Sequence, residues 1–125
     1  MKKFFKRLAV LSLILGGLSF ASAEEPTLQL SPVGGSVITV LPGEYFFFTI
    51  IYTNTDVLAV YADDEYQYET LSIPDEKRNV ATENRAIYGD IIHEYNVSKI
   101  YTAIAISNLG EYAFESITYE TTSPL

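Results

Sequence analysis

The chain has 125 residues, 8 Lys and Arg against 16 Asp and Glu, and no Cys. The missing Cys excludes disulfide staples, thiol redox chemistry and Cys-based metal sites. The acidic balance disfavours nucleic acid and anionic membranes as partners.

The first 23 residues read as a secretory signal peptide. Lys2, Lys3, Lys6 and Arg7 form a basic start, Leu8 to Leu18 is a short apolar run, and Ala21-Ser22-Ala23 supplies a small-x-small cleavage site. The apolar run is shorter than the roughly 20 residues of a membrane helix. No transmembrane segment is expected after cleavage. Half of the basic residues and none of the acids fall in this segment, so residues 24–125 carry a formal charge of −12. They are expected to form one domain, held by packing alone. Its compartment is expected to be extracellular: secreted, periplasmic or on the cell surface.

Thr27 to Ser31 alternates, with Leu28 and Leu30 on one face. Ser31-Pro32-Val33-Gly34-Gly35 interrupts it, and Ser36 to Leu41 resumes an extended segment. A first strand split in this way often switches between the two sheets of a sandwich. Pro42-Gly43 opens the strongest strand signal, Glu44 to Thr53, and both of its faces are largely apolar. This strand is expected to be central, with one face on the core and the other covered or facing a partner. Thr53 to Asp56 is a turn.

Val57 to Ala62 is a further apolar strand, interrupted by Asp63-Asp64-Glu65. Tyr66, Tyr68 and Thr70 then share a face of the next one. Residues 74–90 are the ambiguous stretch, read as a polar loop with a short strand. Ile91 to Val97 is read as extended. Ile100 to Ser107 and Glu111 to Thr121 are two strands joined by the turn Asn108-Leu109-Gly110. Seven to eight short strands at a spacing of about 8–12 residues, with no helical period beyond the signal, predict an all-β chain. The expected architecture is an immunoglobulin-like, Greek-key antiparallel β-sandwich.

The run PGEYFFFTIIYTNTD, from Pro42 to Asp56, resembles the opening of the conserved repeat domain of bacterial and archaeal surface proteins. Leu28 to Leu41 is compatible with the same pattern. The resemblance implies an immunoglobulin-like sandwich used as a surface spacer or adhesive module, without catalysis. The acidic Asp63-Asp64-Glu65 lacks the Leu-Pro pair that usually follows in that family, and the chain holds a single copy.

No catalytic motif stands out. The sole His, His93, sits in an alternating segment, and no Gly-x-Ser-x-Gly elbow is present. A protein without enzymatic activity and without a required cofactor is expected. Asp63, Asp64 and Glu65 are the candidate metal ligands, for calcium, which takes six to eight oxygens. Tyr66 and Tyr68, with Leu28 and Leu30 on the split strand, are the candidate interaction residues. The leading expectation is a secreted structural or interaction module with a protein partner, or one that self-associates through strand edges. The alternatives are a fibre or pilus subunit assembled by strand complementation, and a calcium- or carbohydrate-binding module.

Overall fold

The computed structural model describes residues 25–63 and 68–124. The expected signal segment lies outside the described residues, as do Asp64, Glu65 and Tyr66. Eight strands follow in order: β1 (Thr27–Ser31), β2 (Val37–Val40), β3 (Tyr45–Thr53), β4 (Val57–Ala62), β5 (Tyr68–Leu71), β6 (Asn84–Ile91), β7 (Ser98–Ile106) and β8 (Tyr112–Thr121). They form a three-stranded sheet, β1-β3-β6, and a five-stranded sheet, β2-β8-β7-β4-β5. One 3₁₀ turn, Asp75–Lys77, precedes β6. The fold is an immunoglobulin-like β-sandwich.

Strand periodicity explains the core. In β3, Phe46, Phe48, Ile50 and Tyr52 point inward and are buried. Facing them are Leu58, Val60 and Ala62 of β4, Tyr101, Ala103 and Ala105 of β7, and Ile117 and Tyr119 of β8. The small side chains of Ala103 and Ala105 leave room for large rings from the opposite sheet. Phe46 stacks on Tyr119 with centroids 4.1 Å apart, and Tyr101 meets Phe46, Phe48 and Tyr88 at 5.7, 6.1 and 5.9 Å. Each fully buried side chain of this kind contributes about 1.5–3 kcal/mol.

The split first strand does switch sheets. β1 pairs antiparallel with β3 from Thr27↔Thr53 to Ser31↔Thr49, whereas β2 pairs with β8 from Val37↔Thr118 to Val40↔Thr121. Pro32 has no N–H with which to continue the ladder. Gly35, at φ 85°, turns the chain and donates its N–H to Ser116 O at 2.7 Å. The β2–β8 pair is parallel, the one departure from the wholly antiparallel expectation.

Two expectations need correction. The stretch read as a loop with a short strand contains the eight-residue β6. It pairs with β3 over its whole length, from Tyr45↔Ile91 to Tyr52↔Asn84. Conversely, Ile91 to Val97 is not a strand. β6 ends at Ile91, and the chain crosses between sheets through residues 92–97. Ile92 is buried and anchors the crossing, and Asn96, at φ 56°, makes a left-handed bend. Thr121 Oγ1 donates to Glu94 O at 2.7 Å and accepts from Val97 N at 3.1 Å.

These connections set the two ends of the sandwich. Asn54 Nδ2 donates to Glu25 O at 3.3 Å, which places residue 25 beside the β3–β4 turn. Asn96 N donates to Thr122 O at 3.3 Å, and Gly43 N donates to Ile92 O at 2.8 Å, which places residue 122 at the other end of β3.

The alternation of β3 makes a direct test. Phe48→Ala is expected to cost about 3–5 kcal/mol, and Phe47→Ala, one residue away on the outer face, under about 1 kcal/mol. Urea unfolding of both variants checks this; equal losses would contradict the facing described.

Candidate functional site

The outer face of the small sheet is apolar at one end and hydroxyl-rich at the other. Tyr45, Phe47, Ile87 and Ile91 are exposed at 59, 56, 64 and 37 %. Their register explains why they cluster. Tyr45 lies opposite Ile91, Phe47 opposite Gly89, and Thr49 opposite Ile87. Gly89 has a reason to be glycine: a Cβ there would collide with the ring and hydroxyl of Tyr45, which lies across it. The rings of Tyr45 and Phe47 are 6.3 Å apart and tilted by 31°. Towards the other end stand Ser31, Gln29 and Thr27 of β1, and Thr27 Oγ1 shares a hydrogen bond with Thr53 Oγ1 at 2.6 Å.

Charge separates this face from the rest of the chain. Its strand positions hold no carboxylate, and Arg85, opposite Ile51, is its single charged residue. Glu44 borders it, in the turn just before Tyr45. Acids concentrate instead in the connections, among them Asp56, Asp63, Asp75, Glu76, Glu83 and Glu94.

The outer face of the large sheet is also apolar, but more diffusely. Phe114, Ile100, Val57 and Tyr68 are exposed there, and Tyr112 stacks with Phe114 at 6.0 Å and 17°. Thr102 and Ser116 share a hydrogen bond of 2.8 Å, and Glu120 puts a carboxylate on this face.

The residues singled out by sequence are scattered. Asp63 is exposed at the end of β4, while Asp64, Glu65 and Tyr66 fall outside the described residues. Asp56 sits at the opposite end of β4 from Asp63, a span of roughly 20 Å. It accepts a hydrogen bond from Asn79 Nδ2 at 3.3 Å. Among the described residues no three His, Asp or Glu side chains gather closely enough to hold a metal ion. Tyr68 is exposed at the start of β5, opposite Tyr61. Leu30 is 1 % exposed and Leu28 packs against the same core, so both leucines face inward in their own chain. His93 is exposed in the β6–β7 connection, not in a strand. Sequence reasoning found the outer face of β3 but missed its neighbours Ile87, Gly89 and Ile91. The available signal was the alternation of Arg85, Ile87, Gly89 and Ile91, masked by the glycine.

The polar groups near the core are bonded within the fold. Tyr101 donates its hydroxyl to Asp90 Oδ2 at 2.5 Å, and Lys99 Nζ stands 3.7 Å from the same oxygen. This ties β6 of the small sheet to β7 of the large one. Glu111, 5 % exposed, follows the β7–β8 turn, and its N–H donates to Ser107 Oγ at 3.1 Å. Burial first, and the carboxylate of Glu25 second, push its carboxyl above the usual range. Burial likewise raises the phenols of Tyr52 and Tyr119. These groups serve stability. The feature that reaches outward is the acid-free, apolar face of β3 and β6.

No model of a known protein family matches the chain, and no curated protein sequence matches it. Solved structures do. One is the PKD domain of an M14-like peptidase from a Thermoplasmatales archaeon, 14 % identical, with a TM-score of 0.52, covering 79 % of this chain and 94 % of that one. Another is the fibronectin(III)-like modules of CbhA from Clostridium thermocellum, 11 % identical, TM-score 0.48, covering 78 and 100 %. A third is the SrpA adhesin of Streptococcus sanguinis, 15 % identical, TM-score 0.45, covering 78 and 58 %. The PKD likeness shows the fold, and it agrees with the immunoglobulin-like sandwich implied by the resemblance of Pro42 to Asp56.

The raised carboxyl of Glu111 fixes a sign. A folded-state pKa above the ordinary 4.5 means stability that is full below that value and is lost as pH rises through the folded value. Glu111→Gln removes this loss. Its stability relative to wild type is expected to increase from pH 4 to pH 7 in urea melts. Parallel profiles for the two proteins would refute the assignment.

Proposed function

We propose that this chain is a secreted, non-catalytic β-sandwich that acts at the cell surface or in the periplasm as a structural or interaction module. The observation that carries the reading is the outer face of β3 and β6. Four large apolar side chains stand exposed together, without a carboxylate, on a rigid sheet of an acidic domain. Scattered surface apolar residues are ordinary, but a contiguous patch of this kind marks a contact surface.

Three further features support it. The basic, apolar and small-residue segments of the first 23 residues read as an export signal. The N-terminal stretch is fixed to both layers, β1 in the small sheet and β2 in the large one, which suits a rigid module. The immunoglobulin-like fold itself hosts many binding and structural modules. Exposed Tyr68, with Tyr66 beside it in sequence, extends the interaction reading to the edge of the large sheet. The strand-complementation alternative draws less support, because β1 completes the sheet of its own chain and Leu30 fills its own core.

Export is the part most directly tested. In a bacterial host expressing the full chain, the protein is expected outside the cytoplasm, with an N-terminus at Glu24 by mass spectrometry. Full-length protein confined to the cytoplasm would overturn the reading.

A further inference from the structure

We infer that the outer face of the β1-β3-β6 sheet is the interface of a two-fold symmetric dimer of this chain. The inference rests on the docking role of that face given above and adds the identity of the partner.

Size comes first. Tyr45, Phe47, Ile87 and Ile91 together expose on the order of 400 Å². That is as large as the biggest patch on a typical monomer. The face is about 30 Å long, two strands wide at its apolar end and three strands wide where β1 flanks Thr49 to Thr53. The apolar residues alone supply about half of the roughly 800 Å² that each partner contributes to a standard interface, which fits a weak, concentration-dependent dimer.

Charge then selects the occupant. A basic partner would be met by carboxylates, and this face has none. A foreign acidic partner would find Arg85 alone. A second copy of the chain, whose acids lie mainly in its connections, meets least repulsion when it presents this same face. In residues 24–125, with a formal charge of −12, that is the favourable way for two copies to approach.

Symmetry makes the charges complementary. Consider a two-fold axis lying between the faces, perpendicular to the strands. Let it pass midway between the Phe47/Gly89 row and the Thr49/Ile87 row. It sets β3 over β3 and β6 over β6, running in opposite directions. Ile87 then packs on the Tyr45 ring that lies over Gly89 of the second copy. The Ile51/Arg85 row falls on the Tyr45/Ile91 row. Arg85 therefore faces the end of the second copy where Tyr45 and Glu44 stand, with a cation–π contact and an ion pair available to it. Each contact occurs twice, as an isologous interface requires.

Sedimentation velocity of the exported protein, from low micromolar to near-millimolar concentration, tests this. A concentration-dependent dimer is expected. Phe47→Ser is expected to leave a monomer. Arg85→Glu and Glu44→Arg alone are each expected to weaken the dimer about tenfold, and the double variant E44R/R85E to restore it. All these side chains are exposed, so melting curves matching wild type at concentrations too low for the dimer verify folding. A monomer at every concentration overturns the inference. So does a dimer that resists Phe47→Ser and yields to Phe114→Ser on the other sheet. An exported monomer defeats the dimer alone, whereas a dimer retained in the cytoplasm defeats the secreted role alone.

Discussion

The structure depends on a cluster of rings that joins the two sheets. Phe46, Phe48 and Tyr88 come from the small sheet, and Tyr101 and Tyr119 from the large one. In a chain without Cys, this cluster does the cross-linking that a disulfide would otherwise do. Aromatic pairs of this geometry contribute about 0.5–1.5 kcal/mol each beyond burial. Hydrogen bonds seat the cluster, from Tyr101 to Asp90 and, at 3.5 Å, from Tyr119 to the carbonyl of Phe47. The consequence reaches the surface. With Phe46 and Phe48 committed to the core, the two-residue period of the strand forces Tyr45 and Phe47 outward. The exposed face is the other side of the same constraint that closes the sandwich.

The connections divide the labour differently. They carry most of the acids and also the backbone irregularities, with positive φ at Asn54, Asn79 and Asn96 and at Gly35, Gly43 and Gly110. Most acids are thereby placed at the ends and edges, where water solvates them, and the outer face of β3 and β6 carries no carboxylate. Crossing from β1 to β2 places one segment in each sheet, so the N-terminal stretch grips both layers. Entry and exit lie at opposite ends. The acids outside the strands lie mainly at the two ends of the sandwich and in its connections.

Much of this is legible in the sequence, for local reasons. The alternation of β3, the Pro/Gly break after Ser31, and the turn at Asn108 to Gly110 are all contained within a few residues, and they sufficed for the sandwich and the sheet switch. β6 escaped because its outward positions read Arg, Ile, Gly, Ile, a sequence that lacks strand character until Tyr45 covers Gly89. The residues after Ile91 misled for the converse reason. Ile92, His93 and Tyr95 look extended, but a sheet crossing needs a buried anchor and a bend, which Ile92 and Asn96 provide. The site was half legible. An apolar outer face on β3 was visible, but that Ile87 and Ile91 lie beside it follows from strand pairing across some forty residues. The acidic Asp63 drew attention as a cluster in sequence, whereas Asp56, its nearest described carboxylate in the chain before it, stands at the far end of a strand.

β3 faces two ways: its even-numbered aromatics close the sandwich, and its odd-numbered ones form the face proposed to join two copies. An isotope-filtered NOE experiment on a mixture of ¹³C-labelled and unlabelled protein tests it most directly. Intermolecular contacts are expected from Phe47, Tyr45 and Ile87, with Phe46 and Phe48 showing contacts only within their own chain. Intermolecular contacts confined to Phe114, Ile100 and Val57 on the large sheet, or none at all at high concentration, would contradict it.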